Sequence, residues 1–209
     1  MVSHNKFDPK CLNDSIAMQT DWTPMNKGGS NFKTHKLETI NPERFEFKAT
    51  IGSKAFSLLF FFVGLIVTIS FIASKLSSSN FELDETVTIP ALCGLVFSCI
   101  GVLLFYLETT PIVFDKRKRY FYKGRKTPDE VFDKKSLKAF AKIEDIHALQ
   151  LVSNYCHGGS GSSFYSYELN LVLKSGKRIA VISHGKRDAL RNDANELSLF
   201  LEKPVWDAI

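Results

Sequence analysis

Apolar residues are unevenly spread along this chain. Two runs carry no charged side chain, one of 20 residues between Lys54 and Lys75 and one of 22 between Glu85 and Glu108. At about 1.5 Å of rise per residue, roughly 20 residues cross the ~30 Å of bilayer hydrocarbon. The segments Leu58-Leu59-Phe60-Phe61-Phe62-Val63 and Val102-Leu103-Leu104-Phe105 lack the polar stripe that a surface helix of a soluble domain carries. The pattern predicts two transmembrane helices, at 55–74 and 86–107, joined by a short external loop over 75–85.

Small residues recur with helical spacing inside these runs. Ala91, Gly94, Ser98 and Gly101 share one face of the second span, and Gly64 and Thr68 offer a matching surface on the first. Helices in lipid associate where small residues let their backbones approach, so these six positions predict a packed hairpin. Neither span holds Asp, Glu, Lys, Arg or His. That argues against a proton relay or ion pathway within a single hairpin.

Outside the spans the pattern turns to alternation. Residues 31–40 and 44–50 read as extended, with Phe45 and Phe47 on one side, Glu46 and Lys48 on the other, and Asn41-Pro42 as a breaker between. Pro111 to Phe114 and Tyr120 to Tyr122 flank a turn-like Asp115-Lys116-Arg117-Lys118-Arg119. Ile146 to Tyr155, Ser163 to Leu173 and Arg178 to Ser183 are further strands, the last two joined through Lys174-Ser175-Gly176-Lys177. His157 to Ser163 reads as a mobile glycine-rich loop. A helix from about Lys186 to Leu201 presents Leu190, Ala194, Leu197 and Leu201 on one face and stops at Pro204, with Val205-Trp206 packing back as a tail.

The expected organisation is a flexible N-terminal tail over 1–30, pre-membrane strands over 31–54, the helical hairpin, and a cytoplasmic α+β domain over 108–209. In that domain an antiparallel sheet with a C-terminal helix resembles pleckstrin-homology-like folds. Mean hydropathy over the 209 residues is only -0.04, because the polar flanks mask the two spans. Of 27 Lys and Arg, eight precede the first span, one lies in the linker and 18 follow Glu108. The positive-inside rule therefore places both termini in the cytoplasm. An integral protein of a bacterial inner, or plasma, membrane is expected. No apolar h-region precedes residue 55, so a cleaved signal peptide is not expected.

Two spans, Phe114-Asp115 opening a hairpin, Glu144-Asp145-Ile146 leading a strand, and a terminal Glu196-Leu197-Ser198-Leu199-Phe200-Leu201-Glu202-Lys203-Pro204-Val205 together carry a family resemblance. Over residues 55–206 the layout resembles the two-span photosystem I assembly proteins of chloroplasts and cyanobacteria, and also two-span bacterial membrane proteins of uncharacterised role. The resemblance implies a membrane-anchored scaffold or assembly role, without chemistry, and brings no functional residues with it.

Residues that would carry chemistry are few and scattered. Cys156-His157 lacks the second ligand pair of a structural zinc site, and the other histidines stand apart in sequence. Cys156 and His184 would make a nucleophile and base only on neighbouring strands, with no third orienting group in view. Gly158-Gly159-Ser160-Gly161 is followed by no Lys-Ser/Thr and no helix, unlike a phosphate loop. No catalytic residue, metal or cofactor is expected. The strongest local signal is basic: Lys116, Arg117, Lys118, Arg119, Lys123, Arg125 and Lys126 fall within eleven residues. Close to a membrane such a cluster attracts anionic headgroups at about 1 kcal/mol per charge. Membrane lipids are thus one expected partner, and the net charge of +5 is too modest to favour nucleic acid.

The function that fits is a non-enzymatic membrane protein whose cytoplasmic domain binds a membrane or cytoplasmic protein as a scaffold or assembly factor. The alternatives are an immunity-type inhibitor of a membrane-active toxin, or a small channel or transporter subunit acting as a homo-oligomer.

Overall fold

A computed structural model describes residues 7–76, 85–131, 137, 139–157 and 162–209. Most of the expected external loop and the glycines of the expected mobile loop lie outside the described residues. The chain divides into two compact units, residues 1–48 with 111–209, and residues 49–110.

The second unit is a pair of antiparallel-sequence helices long and apolar enough to cross a membrane, α2 (Ile51–Leu76) and α3 (Glu85–Glu108). Their large apolar side chains point outward: Phe62, Ile66, Val102 and Leu103 are each more than half exposed. What is buried is small, namely Ser53, Ser57 and Gly64 on α2, and Gly94, Ser98 and Gly101 on α3 beside Val87. A soluble core helix has the opposite distribution.

The close approach is specific at three glycines. A Cβ on Gly64 would strike the Gly94 carbonyl and Ser98, one on Gly94 would strike Thr68 and the Gly64 carbonyl, and one on Gly101 would strike the Phe61 backbone. Hydroxyls fasten the same seam: Thr68 Oγ1 donates to the Gly64 and Ala91 carbonyls (2.9 and 3.2 Å), Ser98 Oγ donates to the Phe61 carbonyl (3.2 Å), and Ser57 Oγ donates to Glu108 Oε2 (2.6 Å). The structure thus brings Gly64, Thr68, Ala91, Gly94, Ser98 and Gly101 together.

The first unit is built from both flanks of this hairpin. β1 (His35–Asn41), β2 (Arg44–Ala49), β3 (Ile112–Asp115), β4 (Tyr120–Lys123) and β5 (Ala139–Lys142) form one sheet in sequential order. Phe45 opposes Phe114 and Phe47 opposes Ile112, so β2 and β3 pair directly although residues 50–111 separate them. The β3–β4 turn closes through Lys118 N–H on Asp115 Oδ1 (2.8 Å), with Arg119 at positive φ.

β6 (Ile146–His157), β7 (Ser163–Leu173), β8 (Arg178–His184) and β9 (Val205–Ala208) form a second sheet in the order β8-β7-β6-β9. Gly176, at φ 77°, supplies the left-handed residue of the β7–β8 turn. Helix α4 (Arg187–Leu201) ends at Glu202 in the left-handed conformation, two residues before Pro204. The core joins Phe47, Phe114 and Phe121 of the first sheet, Leu149 and Leu169 of the second, and Leu197 of α4. Phe45 stacks on Phe200 with ring centres 4.1 Å apart.

Three expectations need correction. Val205-Trp206 is not a tail but part of β9, which pairs parallel to β6 and makes the second sheet mixed. Segment 31–54 is not a separate pre-membrane piece, since its strands share a sheet with β3. Residues 7–30 are not a flexible tail: they run across the second sheet, and Ala17 and Thr20 are buried there.

Gly94→Leu forces a branched side chain into the seam, where overpacking costs about 1–3 kcal/mol. Fluorescence transfer between labels on α2 and α3 in detergent should fall for Gly94→Leu and be unchanged for Leu92→Ala, which lies on the exposed side.

Candidate functional site

Alternation along β6 and β7 sends Leu149, Leu151, Leu169 and Leu171 into the core and leaves a second set on the opposite face. That set holds a polar row, Gln150 and Asn154 on β6 and Ser166, Glu168 and Asn170 on β7, beside the apolar Ala148, Val152 and Val172. The register pairs Gln150 with Asn170 and Asn154 with Ser166, so the row is continuous across two strands. On a free sheet these side chains would meet water. Here Gln150, Ser166, Glu168 and Asn170 are fully buried, because the N-terminal segment lies over them as a strap.

The strap begins with the 3-10 turn Pro9–Leu12 and the short helix α1 (Ser15–Gln19). Asp14 caps α1 by accepting from Ile16 and Ala17 N–H (2.8 and 3.2 Å), while its other oxygen meets His147 Nε2 at 2.7 Å. Burial works to raise the Asp14 pKa, but the His147 and backbone hydrogen bonds outweigh it and hold the carboxyl below its ordinary value. A small apolar contact follows, in which Ala17 packs with Ala148, Val172 and Trp206. Trp22 lies 5.8 Å from Trp206 and 4.4 Å from Phe7, ring centre to ring centre.

Beyond Trp22 the strap is held almost entirely by its main chain. Gln150 Nε2 donates to the Asp21 carbonyl (3.0 Å), and Arg178 Nη1 donates to the Thr23 carbonyl (2.6 Å). Glu168 accepts from Met25 and Asn26 N–H with one oxygen each (2.8 and 2.9 Å), and Asn154 Nδ2 donates to the Asn26 carbonyl (2.8 Å). Arg178 also pairs with Asp21 at 2.8 Å. Asp21 is held below its ordinary pKa, chiefly by hydrogen bonds from the Thr23 backbone and hydroxyl. A Cβ on Gly29 would collide with Ser166, so the strap backbone lies against β7 at that point.

The fit is incomplete. Asn170 has neither amide atom paired, and Ser166 Oγ is also without a partner, among the described residues. Each buried polar group left unmade costs about 1–3 kcal/mol. A groove runs beside the strap, lined by Phe7, Trp22, Pro24, Val152, Asn154 and Tyr155.

The basic residues singled out in the sequence lie along the β3–β4 hairpin and the segment just after it. Lys116, Arg117, Lys118 and Arg119 make the β3–β4 turn, where Lys116 pairs with Glu202 (3.2 Å) and lies 5.1 Å from the Phe200 ring centre, and Lys118 pairs with Asp129 (3.6 Å). Lys123, Arg125 and Lys126 stand at the other end of β4, where Gly124 N–H bonds the Pro111 carbonyl and the chain enters the sheet from α3. Tyr120, Phe121 and Tyr122 lie between Arg119 and Lys123 on β4, and Lys118 reaches Asp129, three residues past Lys126.

Cys156 and His184 are not brought together. β7 lies between their strands, and their partners on it, Phe164 and Tyr167, are three residues apart and so on opposite faces. Burial, with the Glu168 carboxylate, pushes the Cys156 thiol up, away from a nucleophilic thiolate. His184 accepts from Lys186 N–H through Nδ1 (3.1 Å), and burial together with the nearby Lys33 and His35 lowers its pKa to about 4. No group of three potential metal ligands stands close together among the described residues.

No protein-family model matches this chain, and no curated protein matches it either.

Two predictions follow from the geometry. Both tryptophans of the chain stand at the strap contact, so their emission reports it. Glu168→Ala strands the Met25 and Asn26 amides, and the emission should shift to the red while the circular-dichroism spectrum is kept. For His184 the folded state holds the neutral ring down to about pH 4, whereas the unfolded chain protonates near 6.5. Stability contributed above pH 6.5 is therefore lost as pH falls toward 4, by up to about 3 kcal/mol. Thermal melts of wild type should lose midpoint over that window, and those of His184→Phe should lose less.

Proposed function

We propose that this chain is a non-enzymatic integral membrane protein that carries a partner-binding domain on the cytoplasmic side, as a scaffold or assembly factor. The observation that carries the reading is the row of polar side chains on β6 and β7, which holds an irregular, bending segment through that segment's main chain. A face built to bond peptide N–H and C=O groups is a peptide-binding face, and it requires no catalytic group.

The membrane part of the reading is supported by the length and outward apolarity of α2 and α3. Because the first unit contains both flanks of the hairpin, both flanks lie on one side of any bilayer that the two helices cross. The 26 Lys and Arg outside the linker make that side the cytoplasm, and a bacterial inner membrane fits. The charges that meet anionic lipid in this reading are Lys116, Arg117, Lys118, Arg119, Lys123, Arg125 and Lys126, in the segment that follows α3.

The domain itself reads as pleckstrin-homology-like. Two successive sheets followed by a helix support this, with the helical hairpin inserted between the second and third strands. The assembly-factor role is also the one that the resemblance to two-span photosystem I assembly proteins implies.

Crosslinking in native membranes, followed by affinity purification and mass spectrometry, tests the reading. The expected result is a stoichiometric protein partner with crosslinks mapping to the first unit. Recovery of the chain alone, or only with copies of itself, would overturn it.

A further inference from the structure

The strap is lopsided in how it is held. Of its residues 7–30 only Ala17 and Thr20 are buried, while the polar side chains beneath it are wholly buried. Its specific anchors are Asp14 on His147, Asp21 on Arg178 and Trp22 beside Trp206. The rest is main chain, which another peptide with the same bends at 23, 25 and 27 could offer. Asn170 and Ser166 keep unused hydrogen-bonding capacity aimed at the strap side of the sheet, and a groove lies alongside. A Cβ at Gly28 would meet nothing within 4 Å, so the backbone there has room to turn, whereas Gly29 and Asn31 are packed against Ser166 and Gly185.

We infer that residues 14–27 are a displaceable occupant of a peptide-binding face, and that the partner enters as a segment that follows the same course and bears an acidic residue followed by an aromatic one. This rests on the peptide-binding reading above and adds its regulation: the chain masks its own site until a competing segment takes the place of the strap. Arg178 and His147 select the acidic residues, Trp206 selects the aromatic ring, and Gln150, Asn154 and Glu168 hold the main chain whatever its sequence. Asn31, packed against Gly185, is the fixed end, so that β1 keeps its place when the strap up to Gly29 lifts and uncovers Cys156.

Cys156 provides the readout, because it is buried with its Sγ 3.1 Å from the position of a Gly29 Cβ and next to the strap path. The full-length chain in nanodiscs is treated with a membrane-impermeant maleimide, and modification at Cys156 is followed by peptide mapping. The probe is a synthetic peptide with the sequence of residues 14–27, added at saturation. Exchange predicts that the peptide raises the Cys156 modification rate at least about fivefold. A peptide in which Asp21→Ala and Trp22→Ala are both made should leave the rate unchanged. The Arg178→Ala chain should be modified faster than wild type before any peptide is added. Equal rates with and without the native-sequence peptide, or equal effects of the two peptides, would overturn the proposal. Its failure is distinct from that of the functional reading: a partner recovered by crosslinking with no peptide exchange means that the partner binds elsewhere on the domain.

Discussion

The pairing of β2 with β3 is the constraint on which the rest of the structure depends. Phe45 lies opposite Phe114 and Phe47 opposite Ile112, across an insertion that comprises both long helices. Closing a long loop costs entropy that grows only slowly with its length, so an insertion of this size is tolerated when the strands on either side make a good core. They do: Phe45, Phe47, Phe114 and Phe121 are all buried, and Phe45 continues onto Phe200 of α4. The segment before the helices is too short to fold alone, and the segment after them would lack two strands. Each completes the other.

The same logic extends to the second sheet. One face is closed by the core and α4, and the other by the strap, so that β6 and β7 are buried on both sides. A face buried by packing alone would be apolar. This one carries a carboxylate, two carboxamides paired to main chain, and an asparagine with no partner among the described residues, beside Ala148, Val152 and Val172. Polar contacts of this kind exchange water bonds for protein bonds at small net gain, and so they hold a segment in place without making it permanent.

Much of the architecture is legible in the residues. The two helices follow from uncharged runs, their seam from Gly64, Gly94 and Ser98, and β6, β7, β8 and α4 from alternation and helical spacing, each within a few residues of the ends found. What eluded the pattern was non-local. β9 is only four residues long and follows Pro204 directly, and its parallel pairing with β6 leaves no mark in either segment. β5 is only Ala139–Lys142, too short for a strand alternation to stand out. The strap was hardest: its residues are mostly exposed, and the row Ser166, Glu168, Asn170 that grips it has the alternation of an ordinary solvent-facing strand. The one available signal was Asp14 ahead of Ser15-Ile16-Ala17, a helix cap in a segment otherwise read as tail.

The most direct test of the account is a disulfide across the insertion. Glu46 and Val113 are register partners on β2 and β3, so a Glu46→Cys, Val113→Cys chain in isolated membranes should form an intramolecular bond on mild oxidation. After proteolytic cleavage between α2 and α3, the two fragments should then migrate together until reduced. Fragments that separate without reductant, or bonds that form only between different copies, would show that the flanks of the helical hairpin do not build one domain.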